Sequence, residues 1–466
     1  MSQIFNFAIE KINLFEMSKD IRLKKGLNIQ LHGEADKVYA NITQSENFVV
    51  RPTDFHGVTP KLIVKEGDSV NAGSVLFFDK YNERVKFTSP VSGEVVAINR
   101  GAKRRILEVV LKADAELKYE SFVKGSAADL NREQIIETLL ISGAWPFIRQ
   151  KPFDVIANPD DKPKAIFIST FNTAPLAADN DFVLHGMTEE FQTGLDYVTK
   201  LTDGTVHLNI DGNTNPSKVF TDAKGVQINK VSGQHPAGNV GIQIHHVDPI
   251  NKGDIVWYLY PQDVIAIARL FSEGKYDASR IVALTGSQVT KPRYYRTIAG
   301  ASISNMLKDN LKKGDSRFIS GDVLTGKQIN ANGALGFYDT QVTVIPEGNY
   351  QEFLGWLAPG LDKFSISKTF FSWLSPSKKY NLDTNYHGEE RAYVITGNYE
   401  KVLPMDVFPM QLIKACMIED IELMENLGIY EVSPEDFALC EFICTSKIEV
   451  QQIIREGLDL IKKECS

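Results

Sequence analysis

Short apolar runs separated by turn residues fill residues 27–112. Turn signals at 66–68 and 71–73 interrupt β-rich segments, and Pro90 and Gly93 mark a further turn. Many short strands joined by glycine-rich turns are typical of a small sandwich or barrel. The pattern therefore predicts a compact β-domain in this part of the chain.

From residue 113 to about 258 the pattern changes to alternating helices and strands. The amphipathic runs 132–141 and 188–201 have helical spacing, whereas 165–169 and 206–210 are continuous apolar runs. Strand–helix alternation favours an α/β domain with a largely parallel sheet.

Residues 259–345 mix both element types, and the end of the chain is helical. Helices are predicted at 261–274 and 298–310, and strands at 280–285 and 317–320, which indicates a small α+β domain. In the final region, 346–466, the pattern becomes helical after about residue 400. There the run Ser433 to Asp436 predicts a capped helix start.

The composition is that of an ordinary soluble multidomain protein. The 466 residues are 43% apolar and 24% charged, with a net charge of −8, which argues against broad nucleic-acid binding. The basic cluster 103–105 is interpreted as a solvated turn. There is no apolar run of membrane-spanning length and no signal-peptide pattern. Together with four cysteines confined to 416–465, this predicts a cytoplasmic chain.

Residues 1–16 stand apart from the pattern that follows Met17. They are interpreted as a short amphipathic helix or an upstream extension, and a poorly tied extension is favoured. Its deletion is expected to leave folding intact.

One glycine-containing stretch resembles a nucleotide-binding loop but lacks an essential residue. The run Gly321 to Lys327 is followed by Gln328, so the Ser or Thr that would hold Mg²⁺ in a phosphate-binding loop is missing. A strand-connecting turn is the preferred interpretation. No glycine fingerprint of a dinucleotide-binding fold occurs either, so neither a catalytic nor a cofactor-binding residue is predicted.

Two cysteines and one lysine are further candidates, for a metal site and for a covalently attached carrier group. Cys440 and Cys444 lie on one face of a predicted helix, but clusters usually need four thiolates, so no metal site is predicted. Lys80 near a hairpin tip resembles the carrier lysine of lipoyl-type domains. Its position, ten residues before Pro90, and the missing Met-Lys-Met argue that it is unmodified.

Two groups of residues are candidates for contact with a small molecule. Trp145, Phe147 and Arg149 follow a predicted helix end and form either an aromatic slot for a quinone or flavin ring or a packing corner. His235, His246 and Asp248 form a candidate polar site. If 242–247 is a strand, His246 and Asp248 share a face and His245 points away.

Motifs in a fixed order then resemble one family, the A subunit of the Na⁺-translocating NADH:quinone reductase. The resemblance covers residue 17 to the C-terminus. The matching motifs lie at Lys25–Leu27, Val64–Asp68, Leu76–Lys80, Phe87–Gly101, Val109–Lys112, Ser142–Trp145, Pro152–Phe153, His235–Gly238, Gln262–Ile267, Lys291–Arg293, Ser320–Gly321, Val344–Gly348, Gly397–Glu400 and Ala438–Cys440.

The resemblance implies a domain order. It is a barrel-sandwich hybrid at 17–112, of the biotinyl/lipoyl type, a Rossmann-like α/β domain at 113–258 and a β-grasp-like SLBB domain at 259–345. C-terminal helices follow.

The resemblance also implies a role. The complex passes electrons from NADH to quinone and pumps Na⁺, using flavins and an iron–sulfur cluster that other subunits carry. This chain is then a peripheral structural subunit on the cytoplasmic side of the bacterial inner membrane. Its partners are the other subunits, chiefly a membrane-embedded one, with quinone as a candidate ligand.

The same resemblance supplies a reason to expect no redox site in this chain. NADH-oxidising relatives have a glycine-rich flavin loop near 142–152 and a cysteine cluster near the C-terminus. Here Trp145, Pro146 and Phe147 occupy the loop, and Ser142 to Ala144 is followed by tryptophan rather than the threonine of a flavin-attachment motif. The alternative hypothesis is an independent flavin- or NAD-dependent oxidoreductase.

Overall fold

The computed structural model describes residues 18–355 and 357–465, so the interpretation of residues 1–16 concerns a segment outside the described residues. The strands in chain order are β1 Asp20–Arg22, β2 Asp36–Ala40, β3 Asn47–Val50, β4 Pro60–Leu62, β5 Ser69–Val70, β6 Val75–Asp79, β7 Asn82–Thr88, β8 Gly93–Arg100, β9 Ile106–Ala113, β10 Arg149–Lys151, β11 Val155–Ile156, β12 Ala165–Ser169, β13 Thr205–Asp211, β14 Gln227–Ser232, β15 Val256–Leu259, β16 Ser279–Thr285, β17 Arg293–Ile298, β18 Ser316–Ser320, β19 Lys327–Ile329 and β20 Gln341–Pro346.

The α-helices include both long amphipathic helices and single turns. They are α1 Arg132–Ser142, α2 Asn180–Val183, α3 Thr188–Val198, α4 Lys218–Thr221, α5 Val240–Val247, α6 Pro261–Glu273, α7 Ser304–Leu307, α8 Tyr399–Val402, α9 Pro409–Met417, α10 Ile421–Asn426, α11 Ala438–Phe442 and α12 Val450–Cys465.

A seven-stranded sheet forms the centre of the molecule, in the order β1-β14-β13-β12-β15-β10-β11. Its first five strands are parallel, and β10 and β11 add antiparallel pairs at the other edge. Strand β12 is buried on both faces, as a covered parallel sheet requires. Ala165 and Phe167 face α5, whereas Ile166 and Ile168 face the main core that contains α3 and α6. The predicted α/β domain is confirmed.

The β-domain consists of a four-stranded sheet (β3-β9-β8-β5) and a three-stranded sheet (β4-β6-β7). Alternate side chains such as Phe48, Phe77, Val95 and Leu111 are fully or almost fully buried between them. The basic cluster 103–105 is exposed on the connection between β8 and β9, as the sequence predicts.

The third part of the fold is a six-stranded mixed sheet, in the order β19-β18-β20-β16-β17-β2. Strands β18 and β19 are an antiparallel pair, so the stretch from Gly321 to Gly326 is the predicted strand-connecting turn. The helix predicted at 298–310 is wrong over most of its length. Strand β17 continues to Ile298, Gly300 has a positive φ of 76°, and only Ser304–Leu307 is α-helical.

The segment before the β-domain lies in two other sheets. Strand β1 pairs in parallel with β14 of the seven-stranded sheet, and β2 pairs with β17 of the six-stranded sheet. The resemblance placed both strands within the barrel-sandwich domain at 17–112. Their pairing with other sheets could not be predicted, because hydrophobic alternation specifies a strand but not its partner.

The C-terminal helices form a separate apolar core, as the helical pattern after residue 400 predicts. Ser433 and Asp436 make the predicted capping box, although the turn they cap is a 3₁₀ helix that leads into α11. Among the residues that the structure describes, no helix has the length and apolarity needed to cross a membrane.

Candidate functional site

Helix α1 and the turn after it position the aromatic candidates. Asn131 and Gln134 form a reciprocal capping box at the start of the helix, and Gly143 ends it with a φ of 79°. A Cβ at Gly143 would lie 2.1 Å from the Thr88 hydroxyl of the β-domain. A glycine is therefore required here both by the left-handed backbone and by close packing, and the chain turns directly into the 3₁₀ turn Trp145–Phe147.

Trp145 and Phe147 are core residues. Trp145 is completely buried, its Nε1 donates to the Ala157 carbonyl at 2.8 Å, and its ring meets Trp257 edge-on at 5.4 Å. Phe147 is 2% exposed and stacks on Phe337 at 5.4 Å. These contacts support the packing-corner interpretation for both rings.

Arg280 also packs on the Phe147 ring, with its guanidinium 4.8 Å from the ring centre. It also forms a buried ion pair with Asp263 at 2.8 Å. Burial raises the pKa of the Asp263 carboxyl, against the opposing effect of Arg280.

Arg149 lies between two tyrosines rather than on Trp145. Its guanidinium is 5.0 Å from the ring centre of Tyr258 and 4.9 Å from that of Tyr338. It also pairs with Asp154 at 2.7 Å. Arg149 is therefore not part of the packing around Trp145, because strand pairing of β10 with β15 brings Tyr258 opposite Arg149.

Asp154 is the centre of a buried charge cluster that sequence reasoning missed. Burial alone would raise its pKa, but Arg149, Lys151 and Arg455 outweigh burial and hold the pKa at about 2. The Tyr258 hydroxyl also donates to this carboxylate.

A further buried ion pair joins the α/β domain to the C-terminal helices. Lys151 Nζ lies 3.2 Å from Asp436 and 2.9 Å from the Ser433 hydroxyl, and the side chains of Lys151 and Asp436 are 2% and 0% exposed. The two residues are 285 positions apart, so no local pattern could have paired them. The predicted capping box at Ser433 was the one feature of the sequence that singled out Asp436.

The candidate polar site does not assemble. Residues 240–247 form helix α5 rather than a strand, because Val240, Ile244 and Val247 have helical spacing and pack on the sheet. The strand condition on which His246 and Asp248 would share a face is therefore not met.

The three polar candidates have different partners. His235 Nδ1 is 3.1 Å from the Thr173 hydroxyl, His246 Nε2 donates to the Pro404 carbonyl at 2.7 Å, and Asp248 pairs with Lys164 at 2.9 Å. Burial lowers the pKa of His235 to about 4 and also lowers that of His246.

His245, which the strand interpretation turned away from the site, contacts the C-terminal region. Its Nδ1 lies 2.6 Å from Glu431, and its Nε2 accepts from the Asp406 amide at 3.0 Å. The histidines are thus structural contacts, each with a satisfied ring nitrogen.

The two close cysteines are buried in the helical core. Helix α11 ends at Phe442, so Cys440 lies in the helix and Cys444 just beyond it. Burial raises the pKa of the Cys440 thiol, which disfavours the thiolate that a metal needs. Within the described ranges, no group of three or more His, Cys, Asp or Glu side chains is placed to hold a metal ion.

A small cleft lies beside Phe337, where the β-domain, the end of α1 and the six-stranded sheet meet. Its volume is about 20 Å³. Its lining is largely apolar and aromatic, with two charged side chains: Val49, Val50, Arg51, Asp54, Phe55, Phe87, Thr88, Pro90, Gly143, Tyr276, Ala299, Gly300, Leu335 and Phe337.

Three family models match the chain in the order of its domains. They describe an NqrA N-terminal barrel-sandwich hybrid domain at residues 21–114, an NqrA second alpha/beta domain at 130–276 and an NQRA C-terminal domain, of the SLBB type, at 281–331. The fold class predicted from the sequence is confirmed.

Curated relatives match over nearly the whole chain. The A subunit of the Na⁺-translocating NADH-quinone reductase from Yersinia pestis bv. Antiqua (strain Angola) is 39% identical over 448 residues, which cover 95% of this chain and all of the relative. The corresponding protein from Alcanivorax borkumensis is also 39% identical, with the same shares covered. The chain belongs to the family of A subunits of the Na⁺-translocating NADH-quinone reductase.

A solved NAD⁺-reducing [NiFe]-hydrogenase, in the air-oxidised state, is a distant structural match. It is 11% identical with a TM-score of 0.37, covering 74% of this chain and 67% of that chain. This match supports no inference about the present chain.

Proposed function

We propose that this chain is a cofactor-free structural subunit of a Na⁺-translocating NADH-quinone reductase. In that complex, electrons from NADH reduce quinone while Na⁺ is pumped out of the cytoplasm. The flavins, the iron–sulfur cluster and the Na⁺ path belong to other subunits. Family membership supports the assignment to the complex.

One observation carries the cofactor-free role, namely the filled turn after α1. A flavin ring needs an open cradle of small residues against which its flat face can lie. Here Trp145 and Phe147 fill the turn and are in contact with Trp257 and Phe337. The buried charges next to them, Arg149 and Asp154, are already paired with each other.

Absorbance of the purified full-length chain tests this role. The expected spectrum is that of a protein without flavin, before and after incubation with flavin mononucleotide or NADH. Stoichiometric flavin, or NADH oxidation by the isolated chain, would favour the independent oxidoreductase instead.

We also propose that the chain sits at the cytoplasmic face of the membrane through a membrane-embedded partner subunit. Co-expression with the membrane subunits is expected to bring the chain into the detergent-solubilised complex. Recovery of the chain apart from every membrane subunit would contradict this placement.

A second proposed role is quinone contact at the small cleft, whose lining residue Phe337 stacks on Phe147. The aromatic lining from Phe55, Phe87 and Phe337 suits the flat face of a quinone head group. The cleft has room for about one water molecule, so a head group enters only when the residues around it move apart, with the Phe337 ring kept as a contact face. Trp145 and Arg149 do not line the cleft; Arg149 packs on Tyr338, whose ring contacts that of Phe337.

Titration with a soluble quinone analogue tests this contact. Saturable binding is expected in the wild type and in the control Phe353→Ser, which changes an exposed ring elsewhere. Binding should fall in Phe337→Leu, which keeps an apolar side chain but removes the ring face. Equal binding by Phe337→Leu and by the control Phe353→Ser, or no binding by the wild type, would show that the quinone does not bind in the cleft.

A further inference from the structure

A second cavity lies where α2 and α6 of the α/β domain face β16 and β17 of the six-stranded sheet. Its volume is about 270 Å³, compared with about 20 Å³ for the cleft beside Phe337. Sites for small molecules are concave spaces with apolar walls and a few polar groups, and they often lie between domains. The cavity therefore has the position and the size of a small-molecule site.

One wall of this cavity is the surface of the main apolar core. Its residues belong to that core or pack against it, and they are Val183, Leu184, Met187, Ile265, Ala266 and Ile281. Val183, Leu184 and Ile265 are buried. An apolar group that enters the cavity would leave water and meet side chains that are already packed, which favours its binding.

Two of the arginines in the lining are neutralised by carboxylates of the protein. Arg269 pairs with Asp277 at 2.9 Å and with Glu190 at 3.1 Å. Arg280 pairs with Asp263 at 2.8 Å. Neither arginine therefore offers an uncompensated charge to a ligand.

Arg296 differs from these two arginines. It is exposed, and it forms no ion pair with any residue in the part of the chain that the structure describes. Its guanidinium lies 4.7 Å from the ring centre of Tyr39, which in turn stacks on Phe182 at 4.8 Å. Stacking on a ring uses the face of a guanidinium and leaves the N–H groups at its edge for an acceptor.

Strand pairing puts this charge beside the apolar wall. Arg296 lies directly opposite Ile281 in the antiparallel pair of β16 and β17, so their side chains are on the same face of the sheet. A ligand in the cavity can thus contact the apolar wall and the guanidinium together.

The charges of the lining select the head group of such a ligand. A guanidinium binds a carboxylate through two parallel N–H···O hydrogen bonds. A phosphate monoester carries a charge of about −1.5 to −2 at pH 7. One unpaired arginine and the nearby carboxylate of Asp277, which also lines the cavity, suit a singly charged group better.

We propose that this cavity binds an amphipathic carboxylate, a small organic acid whose apolar body lies on the core wall and whose carboxylate pairs with Arg296. The site goes beyond the proposed function and can fail independently of it, because it needs neither a quinone nor a partner subunit.

Calorimetric titration of the full chain with sodium octanoate tests the proposal. Saturable binding of one octanoate per chain is expected. Sodium acetate lacks the apolar body and 1-octanol lacks the charge, so each should bind at least about tenfold more weakly.

Two variants locate the bound octanoate. Arg296→Gln should weaken octanoate binding about tenfold or more and leave octanol binding unchanged, because it removes only the charge. Ala266→Met adds a side chain to the cavity wall and should weaken the binding of both ligands. The control Arg105→Gln removes an exposed arginine of the β8–β9 connection and should bind octanoate like the wild type.

Melting temperatures of the variants show whether each one is folded, and Arg296→Gln, at an exposed position, is expected to melt like the wild type. Absence of saturable octanoate binding by the wild type would overturn the proposal. Wild-type octanoate binding by both Arg296→Gln and Ala266→Met would also overturn it, since the ligand would then lie elsewhere. Acetate binding as tight as that of octanoate would reduce the site to a surface ion contact and overturn it as well.

Discussion

At the scale of single residues, buried charges hold the domains together. Lys151 and Asp436 are both inaccessible to solvent and lie in different parts of the chain. A charge left alone in such a place is strongly destabilising, whereas the intact pair contributes little compared with an apolar pair. These residues therefore tie the C-terminal helices to the α/β domain at a specific place.

Replacing Lys151 with methionine should reduce the free energy of unfolding by about 3–5 kcal/mol, because Asp436 remains buried without its partner. Urea denaturation followed by circular dichroism measures the loss. The control Lys162→Met removes an exposed pair with Asp203 and should leave the curve unchanged. In the double variant Lys151→Met, Asp436→Asn, which removes both charges but keeps an oxygen that can accept from the Ser433 amide, much of the stability should return; a double variant as unstable as the single one would contradict the argument.

His235 makes stability depend on pH. The folded protein keeps this ring neutral down to about pH 4, whereas the ordinary pKa is 6.5. Between these values the unfolded chain binds more protons, so His235 makes stability fall as the pH falls. Buried carboxyls such as Asp339, whose pKa burial raises to about 6, act in the opposite direction.

The difference in unfolding free energy between the wild type and His235→Gln isolates the contribution of this ring, because the other titrating groups contribute equally to both proteins. The stability of the wild type relative to the variant should fall by on the order of 2 kcal/mol between pH 6.5 and pH 5. Denaturation curves at several pH values measure it. His387→Gln changes an exposed ring and should follow the wild-type profile; a flat difference for His235→Gln would refute the prediction.

At the scale of elements, the end of α1 sets the position of the aromatic corner. Gly143→Ala should reduce the free energy of unfolding by about 2–4 kcal/mol, through the positive φ and the overlap with Thr88. Thermal unfolding provides the measurement. Gly186 has a similar φ of 82° but open space around it, so Gly186→Ala should cost about 1–2 kcal/mol. Equal losses at both sites would show that packing against Thr88 is unimportant.

Elements with a strong local pattern were predictable. Helix α6 begins at Pro261 and is followed by Gly274, and β12 is a continuous apolar run, so both follow the predicted bounds closely. Helix α5 looked like a strand because its sequence is rich in β-branched residues. Its packing on the sheet overrides that preference, since Val240, Ile244 and Val247 cover the buried strands.

At the scale of the whole molecule, β1 makes the seven-stranded sheet depend on residues far from it in sequence. Ile21 pairs with Val231, and the Leu23 amide donates to the Ser232 carbonyl at 2.8 Å. The β-domain therefore begins after a segment whose strands, β1 and β2, belong to the seven-stranded and the six-stranded sheet. This arrangement ties the seven-stranded sheet, the six-stranded sheet and the β-domain together near the N-terminal end of the described chain.

Two truncations test this dependence. Removal of residues 1–16 is expected to leave the melting temperature unchanged, because β1 begins at Asp20. Removal of residues 1–24 should destabilise the protein by roughly 1–3 kcal/mol and speed hydrogen exchange in Gln227–Ser232, the strand that loses its neighbour. Similar behaviour of the two truncations would contradict a stabilising role for β1.

The sequence by itself determined the family, the fold classes and most of the regular elements, because motifs, periodicity and caps are local properties of the chain. It also indicated that Trp145 and Phe147 fill the turn after α1. Only the tertiary structure decided that Arg149 packs between tyrosines, that Lys151 reaches Asp436 and that β1 joins the α/β sheet. These depend on which distant segments meet, and local sequence does not encode a partner hundreds of residues away.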